Sequence, residues 1–599
     1  MAEFSLQAVF PSLPRTQRGS AVVLGTTSAG DKIQYCNGNS VYTIPLDARN
    51  TADVYTEHAH QTTCAKTSPT GFYCASGDIQ GNVRIWDTTQ STHILKHTIP
   101  VFSGPVRDIA WDSESKRIAA VGEGKERFGH VFLLDTTTSN GSLTGQSRTM
   151  NTVDFKPTRP FRIVSGSDDN SVAIFEGPPF KFKNTFHEHS KFVQSIRYNS
   201  DGSLFASTGS DGKVILYDGA SGDKVGVLED SKGVAHSGTI YGLSWSPDGS
   251  RIATASADKS VKIWDVASRS LEKTIVIGAK IEDQQLGIIW TKTALISVSA
   301  SGFLNFLNAD EGKIDDVRQG HNKGITAVTM SADGKRIFSS DAEGHLTSWD
   351  ISTGESTRTS PHTTMITGVK QAPNGDVYTI GWDDNLKITD ASGGSPRVFS
   401  LPSQPVSLAI ADDVAVIACY KHVAVYTGGK IVENPIDFHA SCVALSKDTV
   451  AVGGKDAKVH VYKLKSNGGL ESVKVLEHGG EITSVAFSDN GEYLVATDLA
   501  RKVIPYTVAS DFSLTHTNSW TFHTAKVSSV AWSPDNTRLA TGSLDNSVIV
   551  WDLTKTGEHP VIIKGAHPMS SVNAVLWLDE KTVVSAGQDS NIKIWNVPV

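Results

Sequence analysis

The chain has 599 residues with a formal charge of −8, 39% hydrophobic and 20% charged residues, 52 Gly and 22 Pro. That length exceeds one ordinary domain, and the composition is that of a folded, turn-rich protein rather than a disordered one. No Lys/Arg block of five or more occurs, which sets aside nucleic acid and anionic membranes as partners, since both demand clustered positive charge.

The N-terminal stretch MAEFSLQAVFPSLPR carries an acidic residue at position 3 and no basic lead, so it does not read as a secretory signal. Apolar runs such as 286-LGIIW-290 are far too short to cross a bilayer. The five cysteines, Cys36, Cys64, Cys74, Cys419 and Cys442, are odd in number and widely spaced. That pattern fits scattered buried thiols rather than a disulfide framework or a zinc site.

A repeat dominates the rest. The clearest copies are SGDIQGNVRIWD (76–87), SASADKSVKIWD (254–265), TGSLDNSVIVWD (541–552) and SAGQDSNIKIWN (585–596). Each runs from small residues through a tight polar turn into an alternating strand that ends on Trp-Asp or a relative. Weaker copies keep the frame, from SVYTIPL (40–46) through segments ending near Asp135, Glu176, Asp218, Asn308, Asp350, Asp390, Tyr426, Tyr462 and Tyr506. The marks recur every 42 residues or so, about the length of one four-stranded propeller blade. Fourteen copies divide most naturally as seven plus seven. Upstream of the marks, Ser246-Pro-Asp-Gly249 and Ser533-Pro-Asp-Asn536 are hairpin turns, in which Pro sets φ and Gly or Asn accepts a positive one. The expected fold is therefore all-β, two seven-bladed WD-repeat β-propellers of four-stranded antiparallel blades.

His189, His236, His523 and His567 each precede an Asp (Asp211, Asp258, Asp545, Asp589) by 22 residues, and each Asp lies six before its Trp or Tyr. Recurrence blade after blade speaks against a catalytic site, which occurs once per domain, and the resemblance to WD-type repeats implies instead a buried structural network of this His and Asp with Ser/Thr and Trp. The last repeat stops at IWNVPV, leaving its blade without an outer strand and with an unpaired edge. The spare apolar segment FSLQAVF (4–10) is expected to supply it. The expected layout is residues 1–20 closing the last blade, a first propeller over 21–319 and a second over 320–599.

No Walker-type loop, His-Glu-x-x-His or Gly-x-Ser-x-Gly elbow is present. Gly122–Gly129 faintly resembles a nucleotide-covering loop, but its last Gly comes too late and no helix follows, so it reads as an extended hairpin turn. These observations give no catalytic residue, no metal ligand and no cofactor. The Arg two places after Trp-Asp that marks many ligase adaptors is missing from WDTT (86–89), WDVA (264–267), WDIS (349–352) and WDLT (551–554).

The layout, together with FPSLPRTQRG (10–19), GDKIQYCNG (30–38), IPVFSGPVRDIAWDSESKRIAAVGEGKERFGHVFLLD (99–135) and GSDDNSVAIFEGPPFKFK (166–183), resembles the actin-interacting protein 1 family, also called WD-repeat protein 1, from end to end. The likeness is closest to its nematode members. The resemblance implies a non-enzymatic, monomeric cytoplasmic protein of the actin cytoskeleton, muscle myofibrils included. Such a protein binds filamentous actin decorated with cofilin (actin-depolymerising factor) and promotes severing and disassembly. The competing reading is a general WD-repeat adaptor with actin incidental.

Propellers bind through rim loops, and the most irregular places lie in the first propeller. Loop 122–129 carries Glu126. Asp168 is the extra residue beside the structural Asp169 and is expected to point out of its turn, although a turn-stabilising role is nearly as good a reading. In PPFKFKNTF (178–186), strict alternation puts Phe180, Phe182 and Phe186 on one face and Lys181 and Lys183 on the other. Phe186 reads as core, while Phe182 and Phe192 are each open between core packing and an exposed anchor. The resemblance matches Glu126, Asp168 and Phe182 to key positions of the family's binding surface. The expected partner-binding set is Glu126, Asp168, Lys181, Phe182 and Phe192.

Overall fold

The computed structural model describes residues 4–390, 394–518, 520–555 and 557–598. Its strands form fourteen four-stranded antiparallel sheets, and the described helices are two single 3-10 turns, Ile281–Asp283 and Val508–Ser510. The sheets are numbered 1 to 14 by their innermost strands a, which begin in turn at Gly25, Thr62, Val106, Met150, Val193, Ile240, Gln285, Ile325, Ile366, Pro405, Ala440, Ile482, Val527 and Val572; strands b to d follow outward, and strand d of sheet 14 is Ser5–Phe10. The chain divides into two compact units, 13–322 and 1–12 with 323–599. Sheets 1 to 7 belong to the former and sheets 8 to 14 to the latter. Each unit is a seven-bladed β-propeller.

Local sequence explains each blade. In sheet 6 the a–b turn is Ser246-Pro-Asp-Gly249: Gly249 sits at φ +74°, its N–H donates to the Ser246 carbonyl at 2.9 Å, and Asp248 accepts from the Ser250 N–H. Its b–c turn places Lys259 at φ +72°, as Asn170, Asn546 and Ser590 do in their own sheets. The third strands, for example Ser260–Asp265 and Val548–Asp552, carry the Trp marks, and Trp264 and Trp551 are fully buried.

Cores form between adjacent sheets. Leu24, Ile33 and Tyr35 of the sheet 1 region pack with Ile296, Val298 and Leu304 of sheet 7, closing the first ring. In the second unit Ile325, Ile337 and Trp349 pack with Val584, Ile592 and Ile594.

The family of sequence repeats is offset from the blades. A stretch such as 51–87 holds strand d of sheet 1, Asp53–Tyr55, and strands a to c of sheet 2, Thr62–Thr67, Tyr73–Asp78 and Asn82–Asp87. The last repeat therefore ends on strand c of sheet 14, Ile592–Asn596, which pairs antiparallel with Ser5–Phe10. Phe10 is fully buried there, its ring 5.3 Å from that of Trp349.

One irregularity recurs. In sheets 2 to 7 the pairing of c with d slips at the Trp position or its equivalent, as at Trp86, Phe132, Phe175, Tyr217, Trp264 and Leu307. In sheet 4 Phe182 pairs with Phe175 and Asn184 with Ile174, leaving Lys183 as the extra residue of a β-bulge. The expected common face for the three phenylalanines is corrected by this slip. Phe180 is buried with Phe175 against sheet 3, whereas Phe186 is half-buried on the opposite face, beside Val172, Ile174 and Tyr217.

Candidate interaction surface

The His–Asp pairs fix the rim from which the b–c turns project. His236 Nδ1 bonds Asp258 at 2.8 Å and its Nε2 bonds Thr254 at 2.8 Å, while Trp264 Nε1 donates to the same Thr hydroxyl at 3.0 Å. His523, Asp545, Thr541 and Trp551 repeat this, as do His567, Asp589, Ser585 and Trp595. His189 joins Asp211 and Ser207, with Tyr217 in place of Trp. All four imidazoles are buried. Burial works to raise the Asp258 carboxyl, but the bonds from His236, Ser260 and the Ser237 N–H outweigh it and hold the group at about 2. Burial lowers His236 and keeps it neutral. Each network ties the segment before strand a to the b–c turn of its own sheet.

Three further networks escape a search for a 22-residue spacing. His362 bonds Asp383 at 2.8 Å and Thr379 at 2.9 Å, His58 bonds Ser76 at 2.7 Å with Asp78 at 3.7 Å, and His478 lies 3.7 Å from Asp498. Their spacings of 20 or 21 residues reflect a slightly shorter link, and a tolerance of two residues would have found them. Sheet 4 has no such His. Gln146 takes the place, donating to Ser171 and accepting from Ser165, while Asp169 accepts from the Ser147 N–H at 2.7 Å. Asp169 is thus the turn's structural carboxylate.

The sequence-derived candidates fall in one sector, sheets 3 and 4 and the link to sheet 5, though not on one surface. Glu126 is exposed in the turn between Arg117–Gly122 and Gly129–Leu133, a turn closed by the Gly122 N–H donating to the Phe128 carbonyl at 2.8 Å. Asp168 occupies the equivalent turn of sheet 4. It does not project freely: Asn151 Nδ2 donates to its Oδ1 at 2.7 Å, and the side chain is half-buried.

Asp168 and Phe192 both line a cavity of about 240 Å³ at the propeller axis, with Arg107, Asn151 and Arg197. Phe192, in the link from sheet 4 to sheet 5, is 43% exposed. Lys181 and Phe182 lie apart, at the start of the outer strand Lys181–Phe186. Phe182 is 44% exposed and meets Phe175 edge-on at 6.2 Å. Its other neighbour is the bare Cα of Gly145, where an added Cβ would come within 2.5 Å of the ring. Lys181 is exposed, and Glu176 opposite it takes an ion pair from Lys183 at 2.6 Å.

Among the described residues no three His, Cys, Asp or Glu side chains gather as metal ligands, and no helix is long and apolar enough to cross a membrane. All five cysteines are buried and unpaired with one another, and burial raises each thiol. What the surface offers is shape, charge and exposed aromatic area on a rigid ring.

Fold, blade networks and rim turns together define a WD-repeat β-propeller protein. The WD domain, G-beta repeat model matches residues 51–87, 137–176, 180–218, 229–265, 312–350, 470–503, 514–552 and 560–596. The chain is 68% identical to the Actin-interacting protein 1 of Caenorhabditis elegans, with 100% of each chain covered. It is 45% identical to the Actin-interacting protein 1 of Drosophila melanogaster over 98% of this chain and 97% of that one, and 41% identical to WD repeat-containing protein 1 of Xenopus tropicalis over 99% of each. The chain belongs to the actin-interacting protein 1 / WD repeat-containing protein 1 family.

Proposed function

We propose that the chain is a non-enzymatic, monomeric regulator of the cytoplasmic actin cytoskeleton that binds cofilin-decorated actin filaments and promotes their severing and disassembly. The observation that carries this reading is identity of 68% along the whole length with a relative named for interacting with actin. The site chemistry is compatible with it. Exposed Phe182, next to exposed Lys181 on the outer strand of its sheet, supplies an aromatic anchor beside a charge, the composition of an interface hot spot, and Glu126 adds a second charged position in a turn of the neighbouring sheet. Disassembly then needs no hydrolysis: tighter binding to a strained filament conformation than to the relaxed one shifts the equilibrium toward breakage.

The deciding experiment is direct imaging of filaments with and without cofilin, comparing the wild type with a Glu126→Ala/Asp168→Ala/Phe182→Ala variant. Severing by the wild type only on decorated filaments, lost in the variant, supports the proposal. Equal action on bare filaments, or none on either, favours the adaptor reading.

A further inference from the structure

The outer seam between sheets 3 and 4 is built on glycine. At Gly141, φ +147°, an added Cβ would come within 2.5 Å of the Phe180 carbonyl oxygen, and at Gly145, φ +98°, within 2.5 Å of the Phe182 ring. The first bare Cα lets the Phe180 N–H reach the Asn140 carbonyl at 2.8 Å, a parallel bridge that joins the c–d link of sheet 4 to the edge of sheet 3. Phe180 is thereby drawn inward, where it packs with Phe155 and Phe161. Phe182, two residues on, lies over the second glycine and stays 44% exposed.

Gly145 thus does more than turn the chain. The three heavy atoms nearest its missing Cβ all belong to Phe182, Cδ2 and Cε2 at 2.5 Å and Cγ at 3.2 Å. Carbon atoms in contact rest at ~3.5 Å or more, so any side chain at this position would displace the ring by about 1 Å. Gly145 and the edge of Phe175 together hold the ring in one setting while nearly half of it stays open. Little rotamer freedom then remains to be lost when a partner covers it.

The glycine is itself held in place. Beside it Gln146 donates to Ser171 at 2.9 Å and accepts from Ser165 at 2.6 Å, and the Ser147 N–H donates to Asp169 at 2.7 Å. The Thr149 carbonyl accepts the Asp168 N–H at 2.9 Å. These bonds fasten the link from sheet 3 to sheet 4 along the b–c turn of sheet 4, so the Cα of Gly145 is a fixed support and not a loop that yields. We infer that Gly145 is a positioning residue of the candidate surface, seating Phe182 in the exposed setting that a partner meets, a role in filament binding that rests on the function proposed above.

The test is a double-mutant cycle on the full chain, read as the dissociation constant for cofilin-decorated filaments in co-sedimentation. Gly145→Ala is expected to weaken binding by about fivefold or more in the wild-type background. In Phe182→Ala, where no ring remains to be displaced, the further loss should be less than about twofold. In Glu126→Ala, whose own loss arises on the neighbouring sheet, the full effect of Gly145→Ala should persist, which sets aside a floor in the measurement. An alanine at φ +98° also strains the backbone, but that cost is common to all three backgrounds and is read separately as melting temperature. A signal from the ring itself completes the test: the fluorine resonance of 4-fluorophenylalanine at position 182 should shift on Gly145→Ala. Equal losses in the wild-type and Phe182→Ala backgrounds, no loss in the wild type, or an unmoved resonance would overturn the inference. If the wild type and Phe182→Ala bind decorated filaments equally, the filament reading fails, and the resonance alone then decides whether Gly145 seats the ring.

Discussion

Phe182 and Phe186 belong to one strand yet face opposite ways, because Lys183 bulges out between them. Strict alternation would place both on one side, and the bulge instead turns Phe186 toward sheet 5 while Phe182 stays over Phe175 at the open edge. The same slip recurs opposite the Trp position in its neighbours, so the facing of Phe182 toward Phe175 follows from blade architecture.

Phe182→Ala is therefore expected to weaken severing of cofilin-decorated filaments while leaving thermal stability nearly unchanged. Loss of a hot-spot aromatic typically costs about 2 kcal/mol or more of binding, some thirtyfold in affinity. Phe180→Ala is the contrast, since that ring is 2% exposed among Phe155, Phe161 and Phe175. Its removal should cost roughly 3–5 kcal/mol of stability. Filament imaging beside thermal melts separates the two. A large fall in melting temperature for Phe182→Ala would return that residue to the core.

The second propeller depends on a strand from the other end of the chain. Phe10→Ala should destabilise it by roughly 3–5 kcal/mol, since a fully buried ring would leave a cavity among Ile325, Trp349 and Ile592. Calorimetry should show a lowered transition for this unit and an unmoved one for residues 13–322. A uniform shift of both, or no shift, would contradict the pairing of Ser5–Phe10 with Ile592–Asn596.

How much of this the sequence discloses depends on range. The blade period, the Trp marks and four His–Asp pairs are local, and all fourteen third strands lie at or beside the marked positions. The pairs at His58, His362 and His478 are hidden only by a link shorter by one or two residues. Gln146 is harder to see, because nothing local distinguishes it from any other loop Gln until Ser165 and Ser171 meet it. The bulge at Lys183 and the bond from Asn151 to Asp168 depend on a partner strand's register, which no single segment encodes.

Acid should loosen these blades in two stages. Burial lowers His58, His236 and His362, so below about pH 6.5 the unfolded chain takes up protons that the folded one refuses, and stability falls. Asp78 and Asp258, held at about 2 by bonds that outweigh their burial, contribute stability present above about pH 4, and this is lost as pH falls toward 2. Chemical denaturation between pH 7.5 and 5 should show the first stage, and His236→Gln should flatten part of it. A slope that rises with acid would refute the assignment.

Asp154 carries the opposite sign. Its carboxyl accepts the Tyr198 N–H at 2.8 Å, and burial raises it to about 6, Asp108 adding to that while Arg197 and Lys66 oppose it. The folded state therefore holds this proton more tightly than the unfolded chain, and wild-type stability from this group declines as pH rises from about 4 through 6. Asp154→Asn keeps an acceptor for Tyr198 and removes the charge. The variant should match the wild type below about pH 4 and exceed it above pH 6, by on the order of 1 to 3 kcal/mol. Arg197 retains Asp108 at 2.9 Å and the Thr152 hydroxyl at 2.9 Å, so its own anchoring survives the change. Paired denaturation curves across that range measure the difference. A variant less stable than the wild type at pH 7.5 would show that the Asp154 charge stabilises Arg197 more than its burial costs.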